Sequence, residues 1–149
     1  MQIKILQSDY EKQLGFKLRE EVFVKEQNVP MELELDEKDS LETTIHVGLF
    51  NEEGILAGVA RILDMGSSIL HIGRVAIKKD FRGMNLGYEL IQGCHNIIKE
   101  ESPIIPVRVE LGAQAYAEKF YQKLGYERLN DEIYIDAGIE HIDMGRNIF

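Results

Sequence analysis

The 149-residue chain contains one cysteine, three prolines and no tryptophan. A lone thiol, Cys94, rules out any disulfide within the chain, which suits a reducing compartment, and cytoplasmic localisation is expected. One cysteine and four scattered histidines do not make a ligand set, so no metal is expected. No internal repeat, low-complexity tract or Pro/Gly-rich linker divides the sequence, and residues 1–149 read as one domain. Long apolar runs are missing too: nothing nears the ~20 residues of a membrane span. The opening MQIKILQSDYEKQ lacks the apolar core of a signal peptide, so no membrane association is expected. Positive charge is scarce, with 17 Lys and Arg against 26 Asp and Glu and a net charge of −9. That balance argues against a general nucleic-acid binder, which needs a basic footprint. It suits a cationic ligand and, equally, a solubilising surface.

The chain does have a 44% apolar and 29% charged composition, that of a globular domain able to bury a core. Ile3 and Ile5 alternate as a short strand, and Ser8 with Glu11 forms a capping box at a helix start. Tyr10, Leu14, Leu18 and Val22 recur on one face of that helix. Residues 28–40, with Pro30 and five carboxylates, read as a loop or short irregular helix. Alternation at Ile45, Val47 and Leu49, a turn at 51–54 and a strand over 55–63 make a hairpin. A strand follows over 69–77 and a helix over 85–100. An extended segment then ends in Val107, Val109 and Leu111. Ala113, Ala117, Phe120 and Leu124 mark a last helix face, stopped by Gly125, and residues 132–148 read as two short strands. The order predicts an α/β (α+β) domain around one mixed sheet.

One stretch departs from the overall charge. Residues 74–83 hold Arg74, Lys78, Lys79 and Arg82 against Asp80, a local +3, so the remainder sums to −12. The stretch runs through Gly83-Met84-Asn85-Leu86-Gly87 into a helix, whose N-terminus offers unpaired N–H groups and a positive dipole end to an anion. A plain β-α turn with solvated lysines is the competing explanation. The spacing is neither a P-loop nor a dinucleotide G-x-G-x-x-G.

Arg82-Gly83-Met84-Asn85-Leu86-Gly87 after a V-x-I-type strand resembles the acetyl-CoA pyrophosphate motif of the GNAT superfamily of N-acetyltransferases, with Asn85 in place of the usual first glycine. Asparagine tolerates positive φ better than most residues, so the loop shape can survive. Ala117 to Tyr126 resembles the superfamily's A-x-x-F-Y-x-x-L-G-F/Y helix end. Residues 18–27 and the tail Gly138-Ile139-Glu140-His141-Ile142-Asp143-Met144 resemble the small bacterial YjcF/ElaA-like branch, so the likeness covers nearly the whole chain.

The resemblance implies a twisted mixed sheet flanked by helices, with a β-bulge and splayed strands forming an acyl-CoA cleft. It implies acetyl-CoA as co-substrate and an amine as acceptor. It assigns the pyrophosphate to Arg82, Gly83, Met84, Asn85, Leu86 and Gly87, and the pantetheine arm and thioester to the backbones of Val75 and Ile77. Gln114 lies where relatives put a polar residue on that arm. Tyr121 matches the tyrosine that protonates the departing sulfur, its plain alternative being a core or boundary tyrosine. Tail strands of this type can pair between chains, which leaves a homodimer open.

An alkyl amine of pKa ~10.4 is almost wholly protonated at neutral pH, so the reaction needs a proton acceptor. Glu110, near the end of a strand, is one candidate, a solvent-facing carboxylate being its plain alternative. His46 and His71 are strand histidines that read more readily as structural, and an ordered water chain can also serve. The acidic run Glu32, Glu34, Asp36, Glu37 and Asp39 either attracts a cationic amine or is simply solvated. Two rivals to a transferase remain at this level: a domain that holds CoA or acyl-CoA as a sensor, and an interaction domain whose turn binds nothing.

Overall fold

The computed structural model describes all of residues 1–149. Strand β1 (Gln2–Ile5) leads into α1 (Asp9–Arg19), whose first turn is closed by the reciprocal Ser8–Glu11 capping box. The helix widens into a π-helical stretch, Glu20–Glu26. A one-turn α2 (Met31–Glu34) and a 3-10 turn (Glu37–Ser40) follow. Then come β2 (Ile45–Phe50), β3 (Leu56–Leu63) and β4 (Ile69–Ile77). After them stand α3 (Leu86–Glu101), β5 (Val107–Gln114), α4 (Glu118–Lys123), β6 (Glu127–Arg128), β7 (Tyr134–Asp136) and β8 (Ile139–Ile148). The strands form one mixed sheet in the order β1-β2-β3-β4-β5-β8-β6, with β7 also on β8. No helix is long and apolar enough to cross a membrane.

Both faces of the sheet are covered. The main core packs Leu90, Ile91, Cys94 and Ile98 of α3 against Val47, Ile62, Leu70 and Val109. A smaller cluster packs Leu18 and Val22 against Leu56, Val59 and Ala76. All eight positions of β3 are therefore buried, as in a strand with helices on both sides.

Two departures from regular pairing shape the middle of the sheet. Between β3 and β4 the register runs from Val59↔Ala76 to Arg61↔Gly73, so β4 carries one extra residue. Arg74, at φ 50°, lies in that bulge. Farther along, β4 and β5 pair in parallel only at Ile69–His71 with Arg108–Glu110. Beyond those rungs β5 follows β8, which it pairs from Val107↔Ile148 to Gln114↔His141. The sheet thus opens into a V, and the open side is a cleft of about 750 Å³.

Three expectations change. Ala113 belongs to β5 and not to a helix, because its pairing with Ile142 extends the strand, and the following helix is only Glu118–Lys123 after a 3-10 turn. The tail over 132–148 does hold two strands, but only β7 is short, because β8 runs ten residues along β5. Tyr10 does not share the buried face of α1 and stands 69% exposed, while Leu18 and Val22 are buried.

Candidate active site

The walls of the V come from both arms of the sheet. Ile72, Val75 and Ile77 of β4 face Leu111 and Gln114 of β5 across the cleft, with Tyr121 of α4 at its side. Lys78 gives its N–H to the Ala57 carbonyl on β3 at 2.8 Å. Successive strand N–H groups alternate in direction, so those of Val75 and Ile77 point the other way, to the edge that β5 has left. Two backbone donors are thereby freed on the cleft wall by the splay itself.

The turn after β4 adds more donors. Asn85 has φ 60° and ψ 22°, the left-handed conformation, and caps α3 without a side-chain hydrogen bond. Gly83 has φ 81°. The N–H groups of Gly83, Met84 and Asn85 bond to nothing in the protein, and first-turn Leu86, Gly87 and Tyr88 have no carbonyl four residues back within the helix. Gly83, Met84 and Asn85 are exposed, whereas the Leu86 side chain is buried and only its backbone is available. Arg82 and Gly87 border the cleft. A Cβ on Gly87 would stand 3.3 Å from Phe120 Cζ, so this glycine also makes room for the aromatic ring of α4.

Arg82 is not a free cation. Its Nε donates to the Ile77 carbonyl at 2.9 Å and its Nη1 lies 2.7 Å from Glu26 Oε1. The hydrogen bond from Arg82 holds the Glu26 carboxyl below its ordinary range.

Tyr121 is 8% exposed, edge-on to both Phe120 and Tyr126. Its hydroxyl has no protein partner and is not sealed from solvent, so it opens on the cleft. Burial pushes the phenol well above its usual pKa, with Cys94 and Tyr116 adding to the rise, and it stays protonated. Nearby Cys94 is fully buried, its thiol pushed up to about 12 by burial, and is no nucleophile. Gln114 donates its amide N–H to Gln27 Oε1 at 2.9 Å, tying β5 to the end of the π-helical stretch.

Glu110 does not reach the cleft wall. It sits on the last parallel rung opposite His71, its carboxylate 3.6 Å from Arg108 Nε. His71 bonds Asp64 at 2.9 Å in an exposed pair away from the cleft, and the buried His46 Nε2 lies 2.9 Å from the Asp39 carbonyl. These residues are not brought together with Tyr121.

Of the five carboxylates of the acidic loop, Glu32 and Glu37 are exposed to solvent, while Glu34, Asp36 and Asp39 are taken up by arginines and are not free to draw in a cation. Arg19, 2% exposed, holds Glu34 at 2.6 and 2.9 Å and Asp39 at 2.7 and 3.1 Å. Arg61 holds Asp36 at 2.8 and 3.0 Å and Asp39 at 2.9 Å. Arg74, counted above with the basic turn, reaches instead to the Glu34 carbonyl at 3.0 Å and Asp36 at 3.4 Å. Three carboxylates meet three guanidiniums. Burial alone would raise the Asp39 carboxyl, but the hydrogen bonds from Arg19, the Asp36 N–H and Arg61 hold it far below its usual value.

Sequence reasoning assigned no role to His141. A tight turn at Ala137 and Gly138, both with positive φ, joins β7 to β8 and brings this imidazole beside Gln114 on the cleft. The turn was the readable signal; the neighbour across the sheet was not.

A family model described as an acetyltransferase (GNAT) domain matches residues 7–148. The chain is 34% identical to the uncharacterized N-acetyltransferase YjcF of Bacillus subtilis over 131 residues, covering 87% of this chain and 88% of that one. It is 36% identical to ElaA of Escherichia coli over 134 residues, covering 88% and 84%. The crystal structure of Escherichia coli ElaA superposes with a TM-score of 0.83 over 97% of this chain and 98% of that one. An aminoglycoside 6'-N-acetyltransferase complexed with coenzyme A superposes with a TM-score of 0.73 over 100% and 98% at 14% identity, a likeness of fold alone.

Proposed function

Since the chain belongs to the GNAT superfamily of N-acetyltransferases, in its YjcF/ElaA branch, we propose that it transfers an acetyl group from acetyl-CoA to a primary amine by direct attack in a ternary complex. The observation that carries this reading is the V between β4 and β5. It frees the N–H groups of Val75 and Ile77 on the same cleft onto which the Tyr121 hydroxyl opens.

Each demand of the reaction then has a named group. The pyrophosphate of CoA lies against the unpaired N–H groups of residues 83–88 and the positive end of α3, with Arg82 beside it. Backbone N–H groups of β4 hold the pantetheine and polarise the thioester carbonyl; a preorganised donor to an oxyanion is worth about 3 kcal/mol. Gln114 borders the arm. The nitrogen lone pair attacks the carbonyl carbon, the C–S bond breaks, and Tyr121 O–H gives its proton to the departing sulfur. A thiol of pKa ~8.5 is a tolerable leaving group, so this last contribution is modest. Glu110 gets no part, because its carboxylate is engaged with Arg108 outside the cleft.

Thiol release from acetyl-CoA, followed across a broad panel of amines and peptides with mass detection of the acetylated product, tests the proposal. Acceptor-dependent release with a product 42 Da heavier per acetyl group (about 42, the mass of C2H2O) supports it. A protein that binds CoA, releases no thiol and acetylates nothing on the panel is instead a sensor of the same fold.

A further inference from the structure

We infer that His141 is the proton acceptor of the reaction, taking a proton through Nε2 from the substrate ammonium so that the neutral amine can attack. The inference rests on the acetyl-transfer reading above and adds to it the group that the chemistry lacked.

The tautomer follows from one hydrogen bond. His141 Nδ1 lies 2.7 Å from the Ile139 carbonyl oxygen, which can only accept, so Nδ1 carries the proton. In the neutral ring Nε2 then bears the lone pair, the arrangement of a histidine held ready as a base. A second contact fixes the plane of the ring: Tyr134 stacks on it at 5.7 Å with the planes 23° apart. Tyr134 is itself held by donating its hydroxyl to Asp143 Oδ1 at 2.6 Å. The stack crosses the tight β7–β8 turn, so backbone geometry sets both rings.

The ring also faces the right space. His141 pairs in register with Gln114, the last residue of β5 and a cleft residue, and is only partly buried. Its Cδ2, the carbon bonded to Nε2, comes within 3.9 Å of where a Cβ on Gly112 would stand. Gly112 lies in the splayed part of β5 and borders the cleft. Tyr134 Oη takes the place of the missing side chain, 2.6 Å from that Cβ position, so the glycine makes room for the residue that stacks on the imidazole.

The carboxylates of the cleft are less fit to accept a proton. Both oxygens of Glu34 are bound by Arg19, and those of Asp36 by Arg61 and Arg74. Asp136 lies on the cleft but is exposed at the tip of the hairpin. A carboxylate is also a weaker base than an imidazole by roughly two pKa units, which makes the proton transfer from an alkylammonium more uphill.

The proton balance closes. The substrate ammonium gives one proton to Nε2, and the freed lone pair forms the C–N bond. The second proton leaves nitrogen as the tetrahedral intermediate collapses, while the sulfur takes one from Tyr121. The proton that nitrogen releases at collapse replaces, through water, the one that Tyr121 gave to sulfur, and the proton on the imidazolium passes to water at the cleft mouth as the one net proton.

The test compares wild type with His141→Gln on two acceptor classes, alkyl amines and weakly basic aryl amines, the latter already neutral at the assay pH. We expect kcat/KM for alkyl amines to fall about 100-fold, within the range of general-base effects. For aryl amines it should fall less than about fivefold, because they bring no proton that must be removed before attack. Acetyl-CoA affinity by calorimetry should stay within about twofold. Equal losses on both classes, or no loss on either, overturn the inference while leaving the transferase reading intact. A wild-type protein that releases no thiol with any acceptor overturns the transferase reading, and the inference with it. Should His141→Gln fail to fold, nitrogen NMR of the wild-type imidazole decides. A neutral ring protonated at Nδ1 supports the proposal, and one protonated at Nε2 overturns it.

Discussion

Arg19 and Glu34, fifteen residues apart, form a buried two-point pair, Nε to Oε1 at 2.6 Å and Nη2 to Oε2 at 2.9 Å. The two side chains are only 3% and 5% exposed. This pair, with Asp39 shared between Arg19 and Arg61, clamps the loop over residues 31–40 to α1 and β3. The loop in turn supplies Leu33, Glu34, Asp36 and Lys38 to the cleft.

Replacing Arg19 by Leu strands the buried Glu34 without its cation and leaves Asp39 with Arg61 alone. Removing one partner of a buried pair costs about 3–5 kcal/mol. The expected outcome is a loss of that size in urea unfolding. A loss below about 1 kcal/mol would mean that the pair is hydrated in solution, as surface pairs are.

Acid sensitivity should begin with His95. Its Nε2 shares a hydrogen bond of 2.7 Å with Tyr126 in the core, and burial, with Arg146 and Lys99 nearby, lowers its pKa from 6.5 to about 4. The unfolded chain therefore binds a proton between those values that the folded chain does not. Stability is complete above pH 6.5 and falls as the pH drops toward 4, by up to about 3 kcal/mol from this group. His95→Gln, which keeps a partner for the tyrosine, should flatten that part of the urea-midpoint profile. An unchanged slope in the variant would assign it to other groups. The depressed carboxyls of Asp36 and Asp39 act lower on the scale: their contribution is present above the ordinary carboxylate range and is lost below it.

The Tyr121 hydroxyl has no protein partner, so Tyr121→Phe should leave stability within about 0.5 kcal/mol. If it protonates the sulfur, kcat falls about 10- to 100-fold, at the low end for general acids, while CoA affinity changes less than about threefold. The deficit should shrink with an acyl donor whose thiol is more acidic. Wild-type turnover where chemistry limits the rate would leave this residue a packing tyrosine between Phe120 and Tyr126.

Glu26 competes for Arg82 with any anion bound at the turn. Arg82→Ala should weaken CoA binding, with a loss that shrinks as salt screens the charge. Glu26→Gln should strengthen it about two- to fivefold at low salt, since a negative charge beside the site is gone. Calorimetry at two ionic strengths checks both, and an identical loss for Arg82→Ala in low and high salt would indicate packing in place of charge. Gly87→Glu should lower CoA affinity at least ~10-fold. Its control is Gly87→Ala, which brings the Cβ against Phe120 without the charge.

The segment from β4 through the turn into α3 was legible residue by residue because its information is local. Alternation marks the strand, Gly83 and Asn85 take the positive φ that their side chains allow, and the helix starts where the pattern changes period. The Ser8–Glu11 box is local in the same sense.

Ala113 shows where local information ends. It is two residues from Leu111 and four from Ala117, so it fits a strand period and a helix period equally. Only its pairing with Ile142, in a different part of the chain, decided for the strand. By itself the sequence determined most element types and the positive-φ turn that enters α3, all set by neighbours along the chain. Tertiary structure alone decided that β5 leaves β4 after three rungs, that Arg74 serves the acidic loop, that Glu110 stays outside the cleft and that His141 stands beside Gln114. Each of these depends on strand register or on ion pairs between residues tens of positions apart, and a one-residue slip of register would turn every one of those side chains to the other face.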